Sequence, residues 1–225
     1  IAFLTRMTRG TPWVRMKTAV TLDGRTAFPD GRSQWITGEA ARADVQFWRG
    51  RAGAVLTGIG TVLADDPQMN VRLPDQERQP LRIVIDPRME TPPAGKLLTS
   101  KGGKVFIAAA AEYPTRRAAL EAAGAEVWVL PDAAVPGRVD LRELMRELAK
   151  REVNEVHVEA GPRLSGALFA AGLIDEMLFY YAPCLFGAGM GPAAVPLPAE
   201  PGAAYRWRLQ SLDQIGGDFR VLLRR

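Results

Sequence analysis

Three closely spaced segments decide the fold of this chain: VRMKTAVTLDGRTA (14–27), SQWIT (33–37) and TGIGTVLADDPQMNVR (57–72). The apolar runs at 14–22 and 54–60 predict buried strands, and residues 39–51 between them have the pattern of a helix. A strand, a helix and a second strand in this order predict a parallel pair of strands.

The same alternation continues along the chain. It predicts strands at 82–86, 104–110, 126–130 and 155–161, and helices at 115–124, after Asp140, and from Pro162 to Gly172. The last strands, at 177–183, 205–215 and 218–224, have no helices between them, which indicates antiparallel pairing. The predicted class is α/β, with a mixed sheet that is mostly parallel, antiparallel C-terminal edge strands, and helices on both faces. The Gly- and Pro-rich residues 187–204 predict a long loop.

Taken together, the three opening segments, VEAGPRLSGALFAAGLIDEMLFYYAP (158–183) and GGDFRVLLR (216–224) resemble the reductase half of the riboflavin-biosynthesis deaminase/reductase family. The resemblance covers nearly the whole chain. It implies a dihydrofolate-reductase-like fold and a cytoplasmic homodimer. The implied reaction is NADPH-dependent reduction of 5-amino-6-(5-phosphoribosylamino)uracil to its ribitylamino counterpart.

The resemblance also implies a domain organisation. Residues 1–11 are expected to be a linker remnant and residues 12–225 the reductase domain, with a zinc deaminase domain upstream in the full-length chain. The 225 residues contain a single Cys, Cys184, and a single His, His157, so no recognisable zinc site can be assembled and no metal is expected.

Composition argues against other partner classes. No apolar run approaches the ~18 residues of a membrane helix. The formal net charge is +4, but Lys and Arg are dispersed rather than gathered on one helix, which disfavours nucleic acid as a partner. The partner that the resemblance implies is the small-molecule substrate.

Residues 159–167 have the pattern of a strand that turns into a helix, where Gly lets an anion approach the helix N-terminus. An ordinary strand-to-helix turn explains the same letters. The resemblance favours the cofactor diphosphate and implies these cofactor-binding residues: Ala19, Trp35, Thr61, Asp65, Gly161, Pro162, Arg163, Leu164, Ser165, Gly166 and Ala167.

Substrate recognition is assigned by the same resemblance. Arg49 and Arg72 have planar guanidinium groups suited to a phosphate, and Ser33 is a neutral donor. Met69 and Glu159 complete the expected substrate-binding set.

Lys17 lies in the middle of an apolar strand, where an unpaired ammonium is costly, and Glu159 ends another buried strand. Both are predicted catalytic residues in the substrate site. A buried Lys17 to Glu159 salt bridge is the structural alternative. His157 lies two residues before Glu159 on the same strand face and is interpreted as a structural residue.

Two further functions stay open: a dihydrofolate-reductase-type pterin reductase and a noncatalytic nucleotide-binding domain. The sequence does not decide the proton donor, the preference for NADPH over NADH, the oligomeric state, or whether the full-length protein is bifunctional.

Overall fold

A computed structural model describes residues 1–74 and 76–225. Within these residues the helices are α1 Ala2–Arg9, α2 Glu39–Arg51, α3 Ile59–Asp65, α4 Lys96–Thr99, α5 Pro114–Ala122, α6 Leu141–Lys150 and α7 Pro162–Ala170. The strands are β1 Trp13–Thr21, β2 Ala54–Gly58, β3 Leu81–Ile85, β4 Val105–Ala109, β5 Ala125–Val129, β6 Glu155–Glu159, β7 Glu176–Ala182, β8 Arg208–Ile215 and β9 Asp218–Arg224.

The chain divides into two compact units. Unit 1 comprises Ile1–Trp13 and Gln46–Val158, and unit 2 comprises Val14–Val45 and Glu159–Arg225. The predicted boundary at residue 12 stays a prediction.

Unit 1 carries parallel strands in the order β5-β4-β3-β2-β6. Their near-continuous apolar sequences match strands buried on both faces. A buried core cluster that includes Val55, Val84, Ile107 and Leu120 fills this unit. The pairing of β2 with both β3 and β6 places the end of β2, and hence the start of α3, between these two strands.

Unit 2 carries strands in the order β1-β7-β9-β8. β1 and β7 are parallel, whereas β9 pairs antiparallel with both β7 and β8. The absence of a helix between 208 and 224 allows this return, since antiparallel neighbours need only a tight turn. The predicted α/β class, mostly parallel with antiparallel C-terminal strands, is confirmed.

The helix ends show why the sequence pattern worked. The side chain of Asp140 accepts hydrogen bonds from the backbone N–H groups of Arg142 and Glu143, both at 2.9 Å, and so caps α6. Gly172 follows α7 with φ of 68°, a left-handed conformation that favours glycine.

Two regions differ from simple expectation. The predicted linker is helical over Ala2–Arg9, and Arg6 of this helix donates to the side chain of Asn154 at 2.7 Å. The strand predicted at 54–60 ends at Gly58, and residues 59–65 form the helix α3. No helix in the described parts of the chain is both long and apolar enough to cross a membrane.

Candidate active site

Some of the predicted site residues belong to unit 1 and the others to unit 2. Unit 1 contains Arg49, Thr61, Asp65, Met69 and Arg72. Unit 2 contains the others: Lys17, Ala19, Ser33, Trp35, Glu159, Gly161, Pro162, Arg163, Leu164, Ser165, Gly166 and Ala167. Each group is described within its own unit.

Arg49 and Arg72, the two predicted phosphate ligands, meet at Asn70. Arg49 Nη1 donates to the Asn70 carbonyl oxygen at 3.0 Å, and Arg72 Nη1 donates to Asn70 Oδ1 at 3.3 Å. Asn70 Nδ2 in turn donates to the carbonyl of Lys101 at 2.9 Å. The structure therefore brings together two arginines that lie 23 positions apart in the sequence, and it adds Asn70, which the sequence pattern did not identify.

Polar side chains that are buried or half-buried hold the segment that carries Arg72. Gln46 Oε1 accepts the backbone N–H of Arg72 at 3.0 Å, and the amide of Gln79 bonds both the N–H and the carbonyl of Val71. Arg82 donates to the carbonyls of Gln68 and Leu97, and its burial lowers its pKa. These contacts fix the backbone of the segment that carries Arg72, one of the two predicted phosphate ligands.

Met69 has two unusual features. Its side chain is 3% exposed and packs in the core cluster of unit 1, and its φ of 53° is left-handed. Such a conformation costs of order 1–3 kcal/mol and occurs where packing over-determines the backbone. The predicted substrate contact of Met69 is thereby limited to its backbone groups.

Thr61 and Asp65 lie on α3, one helical turn apart, and Asp65 is exposed. The neighbouring Asp66 has a different role, since its Oδ1 accepts the backbone N–H of Lys96 at the start of α4 at 2.7 Å. This contact gives Asp66 a structural role.

Lys17 and Glu159 are both half-buried in unit 2. Each interacts electrostatically with Tyr180 of β7. The Lys17 ammonium lies 6.0 Å from the centroid of the Tyr180 ring. Burial, the hydrogen bond to Asp44 and the negative charges of Asp44 and Glu159 raise the pKa of the Tyr180 hydroxyl, opposed by Arg220, so the phenol stays protonated. Ala19 lies directly opposite Tyr180 in the register of β1 and β7. Tyr180 is a neighbour of the site that sequence reasoning missed.

Tyr180 belongs to a wider network. Its hydroxyl donates to Asp44 Oδ2 at 2.6 Å, and Arg220 donates to both Asp44 oxygens and to Asp213. The charge-assisted bonds lock the ring of Tyr180, a completely buried side chain, beside Lys17.

Ser33 and Trp35 follow a loop that is clamped to the segment after β7. Asp23 accepts the backbone N–H groups of Phe186 and Gly187 at 3.1 and 2.7 Å, and the rings of Phe28 and Phe186 stack with centroids 4.2 Å apart. The Thr21 hydroxyl also donates to Asp23, and this bond makes the largest contribution to lowering the pKa of Asp23. The two backbone N–H groups lower this pKa further. The clamp fixes the chain just before Ser33.

The N-terminus of α7 suits a diphosphate. The first amides of any helix lack an intrahelical acceptor, and no side chain in the described residues caps this helix. A Cβ built on Gly161 would meet no heavy atom of the described chain within 4 Å, so the space in front of the helix is open. The residues present therefore fit an anionic cofactor group.

Two residues of the predicted cofactor segment have structural contacts instead. Ser165 is buried and its hydroxyl donates to the carbonyl of Ala160 at 3.3 Å. Gly166 faces the loop after β7 so closely that a Cβ would lie 2.2 Å from the carbonyl oxygen of Ala194. The cofactor contacts of this segment are therefore expected mainly from Gly161 to Leu164.

His157 is completely buried on β6, opposite Val55 of β2. This position supports the interpretation of His157 as a structural residue.

Burial raises the pKa of the Cys184 thiol, which keeps the thiol protonated.

Comparison with known proteins gives a consistent answer. The family model described as the RibD C-terminal domain matches residues 12–221. The riboflavin biosynthesis protein RibD of Haemophilus influenzae is 38% identical over 97% of this chain, and that of Escherichia coli is 37% identical over 96%. The chain spans about 60% of the length of each of these relatives.

Solved structures agree with these sequence matches. RibD of Acinetobacter baumannii superposes with a TM-score of 0.87 at 36% identity. The match covers 99% of this chain and 60% of the Acinetobacter chain. A deaminase/5-amino-6-(5-phosphoribosylamino)uracil reductase from Thermotoga maritima gives a TM-score of 0.81 at 26% identity, covering 99% of this chain and 59% of its own. The matched span, the identity and the shared fold show that the chain belongs to the RibD C-terminal domain family of riboflavin biosynthesis.

Proposed function

We propose that this protein reduces the ribosyl group of 5-amino-6-(5-phosphoribosylamino)uracil to a ribityl group, with NADPH as the hydride donor. Family membership supports a reductase of riboflavin biosynthesis, and the name of the Thermotoga maritima relative contains this activity. The specific substrate and the choice of NADPH are the proposal.

The observation that carries the proposal is the joining of Arg49 and Arg72 at Asn70. A guanidinium presents its N–H donors in a planar fork. Two such forks anchored on one residue suit a phosphate ester. Dihydrofolate would bring carboxylates, but no phosphate ester, to this cationic pair.

The cofactor is assigned to unit 2 on the fit of the α7 N-terminus to a diphosphate. Gly161, Arg163 and Leu164 would hold it through backbone amides, with Trp35 beside the nicotinamide end. When bound, the nicotinamide supplies a hydride to the former anomeric carbon of the sugar.

The protein's own task is to bind, orient and move a proton. The ribosylamine must open to an imine-like chain before it accepts a hydride, and the ring oxygen takes up a proton as its bond to the anomeric carbon breaks. Lys17 and Glu159 lie near Tyr180 together with Asp44 and Arg220, and we assign to Lys17 and Glu159 the supply and orientation of this proton, directly or through water. The exposed indole of Trp35 lies over the bound reacting groups and excludes water from them.

The quaternary and cellular context follows the family resemblance. We propose a homodimer in the cytoplasm, with a zinc deaminase domain preceding this one in the full-length protein. The relatives are longer than the matched region, which supports an additional domain.

The test is NADPH oxidation followed by absorbance with the deaminated pyrimidine phosphate as substrate. Dihydrofolate serves as the alternative substrate and NADH as the alternative cofactor. Turnover of the pyrimidine phosphate alone supports the proposal. Turnover of dihydrofolate alone would instead favour a pterin reductase, and cofactor binding without turnover of either would favour a noncatalytic domain.

A further inference from the structure

Trp35 is unusual because 72% of its side chain is exposed. An indole with so little packing needs another constraint if it is to keep one orientation. Arg42 supplies a contact of this kind, since its guanidinium carbon lies 4.8 Å from the centroid of the Trp35 ring. A cation–π contact at an exposed site stabilises by about 0.5–1 kcal/mol.

Arg42 is itself held against the segment that carries Trp35. Its Nη1 donates to the carbonyl of Thr37 at 2.6 Å, and its backbone N–H donates to Gly38 in the first turn of α2. One guanidinium therefore contacts the indole through its face and the backbone two residues further on through an N–H. The geometry restrains both the ring and the chain that leads from it.

The start of α2 is fixed in turn by the β8–β9 turn. Asp218, which is 4% exposed, accepts the backbone N–H of Gly38 at 2.7 Å. A carboxylate at this end complements the helix dipole. Gly216 has φ of 62°, and a Cβ there would lie 2.8 Å from the Cβ of Ala40, so the turn packs closely on the helix. The GGD sequence at 216–218 thus fixes the start of α2.

We propose that Arg42 is a positioning residue, which holds the indole of Trp35 in its cofactor-binding orientation while Asp218 anchors the helix that carries Arg42. Only the identity of the ligand rests on the proposed function. The contact between Arg42 and Trp35 stands without it.

The first test is a double-mutant cycle on the dissociation constant of NADPH, measured by calorimetry without substrate. Arg42→Met is expected to weaken binding about fivefold, equivalent to about 1 kcal/mol. In a Trp35→Leu background the same change should have no further effect, because Arg42 then has no ring to hold. Arg42→Lys should recover part of the loss.

A matched control is available on the same helix. The guanidinium of Arg51 also lies 4.8 Å from a Trp ring, that of the buried Trp48. Arg51→Met removes a cation–π contact of the same length, together with the ion pair between Arg51 and Glu155, and should leave NADPH affinity unchanged. An additive loss in the Arg42→Met/Trp35→Leu protein would overturn the proposal, since it would show that Arg42 contacts the cofactor directly. Unchanged affinity in Arg42→Met would overturn it as well.

A second readout separates this inference from the proposed function. Acrylamide quenching of Trp35 is obtained as the difference between the parent protein and Trp35→Phe, in the absence of cofactor. Arg42→Met should increase this quenching and Arg42→Lys should give an intermediate value, whether or not NADPH binds. Quenching that does not change in Arg42→Met would refute the positioning contact. Failure of the parent protein to bind NADPH would refute the proposed function instead.

Discussion

Gly166 offers a quantitative test of the packing beneath the predicted cofactor segment. An Ala at a helical Gly normally stabilises by about 1 kcal/mol through helix propensity. Here the new Cβ would lie 2.2 Å from the carbonyl oxygen of Ala194, whereas real Cβ contacts essentially never fall below 3.0 Å. The backbone must therefore shift by the difference, 3.0 − 2.2 = 0.8 Å, or more.

Such overpacking costs about 1–3 kcal/mol, and the propensity gain of about 1 kcal/mol offsets only part of this cost. We expect Gly166→Ala to lose up to about 2 kcal/mol of unfolding free energy, and to melt up to about 8 °C lower for a chain of this size. The measurement is thermal unfolding followed by circular dichroism. Gly60 in α3 is the matched control, because a Cβ there meets no described atom within 4 Å. Gly60→Ala should melt at or slightly above the parent temperature. A Gly166→Ala protein that is as stable as Gly60→Ala would refute the close approach.

The remaining predictions concern the ligands. Gly161→Val should leave the fold intact, because the space around Gly161 is open, and weaken NADPH binding at least about tenfold in a titration; an unchanged dissociation constant would remove this segment from the cofactor site. Arg72→Lys keeps the charge but loses the planar fork, so steady-state kinetics should show a raised KM for the substrate with little change in NADPH affinity; equal damage to NADPH binding would assign Arg72 to the cofactor. Lys17→Met and Glu159→Gln should each lower turnover sharply while melting near the parent temperature. A stability loss of about 3–5 kcal/mol with turnover preserved would instead show a structural ion pair.

Most of the strands could be predicted from the sequence because short apolar runs mark their positions and their burial. The runs at 82–86 and 126–130 differ from β3 and β5 by one residue at each end. The α6 cap at Asp140 and the Pro-led start of α7 were equally visible. These features depend on residues that are neighbours in the chain.

Other features depend on contacts that the sequence does not display. The helix α3 begins directly at the end of β2, and its short, small-residue sequence gave no clear helical period. Met69 matched a substrate-binding pattern, but only the structure shows that its side chain belongs to the core. Asn70 lies between matched positions and would have been found only by asking what orients the two arginines.

The same limit explains Tyr180 and Arg42. Tyr180 lies in an apolar strand where a core role is the ordinary expectation, and its bond to Asp44 spans 136 positions of sequence. Arg42 looks like any exposed helix arginine until Trp35 is seen against its guanidinium. Each owes its place at the site to a partner that folding brings to it.

Isotope transfer tests the central claim of hydride reduction of the sugar most directly. NADPH that carries deuterium at the transferable C4 position is incubated with the protein and the pyrimidine ribosyl phosphate, and the product is analysed by mass spectrometry and NMR. The account predicts a ribitylamino product with a single deuterium, located on the former anomeric carbon. Deuterium at a pyrimidine position, or a ribitylamino product without deuterium, would contradict it.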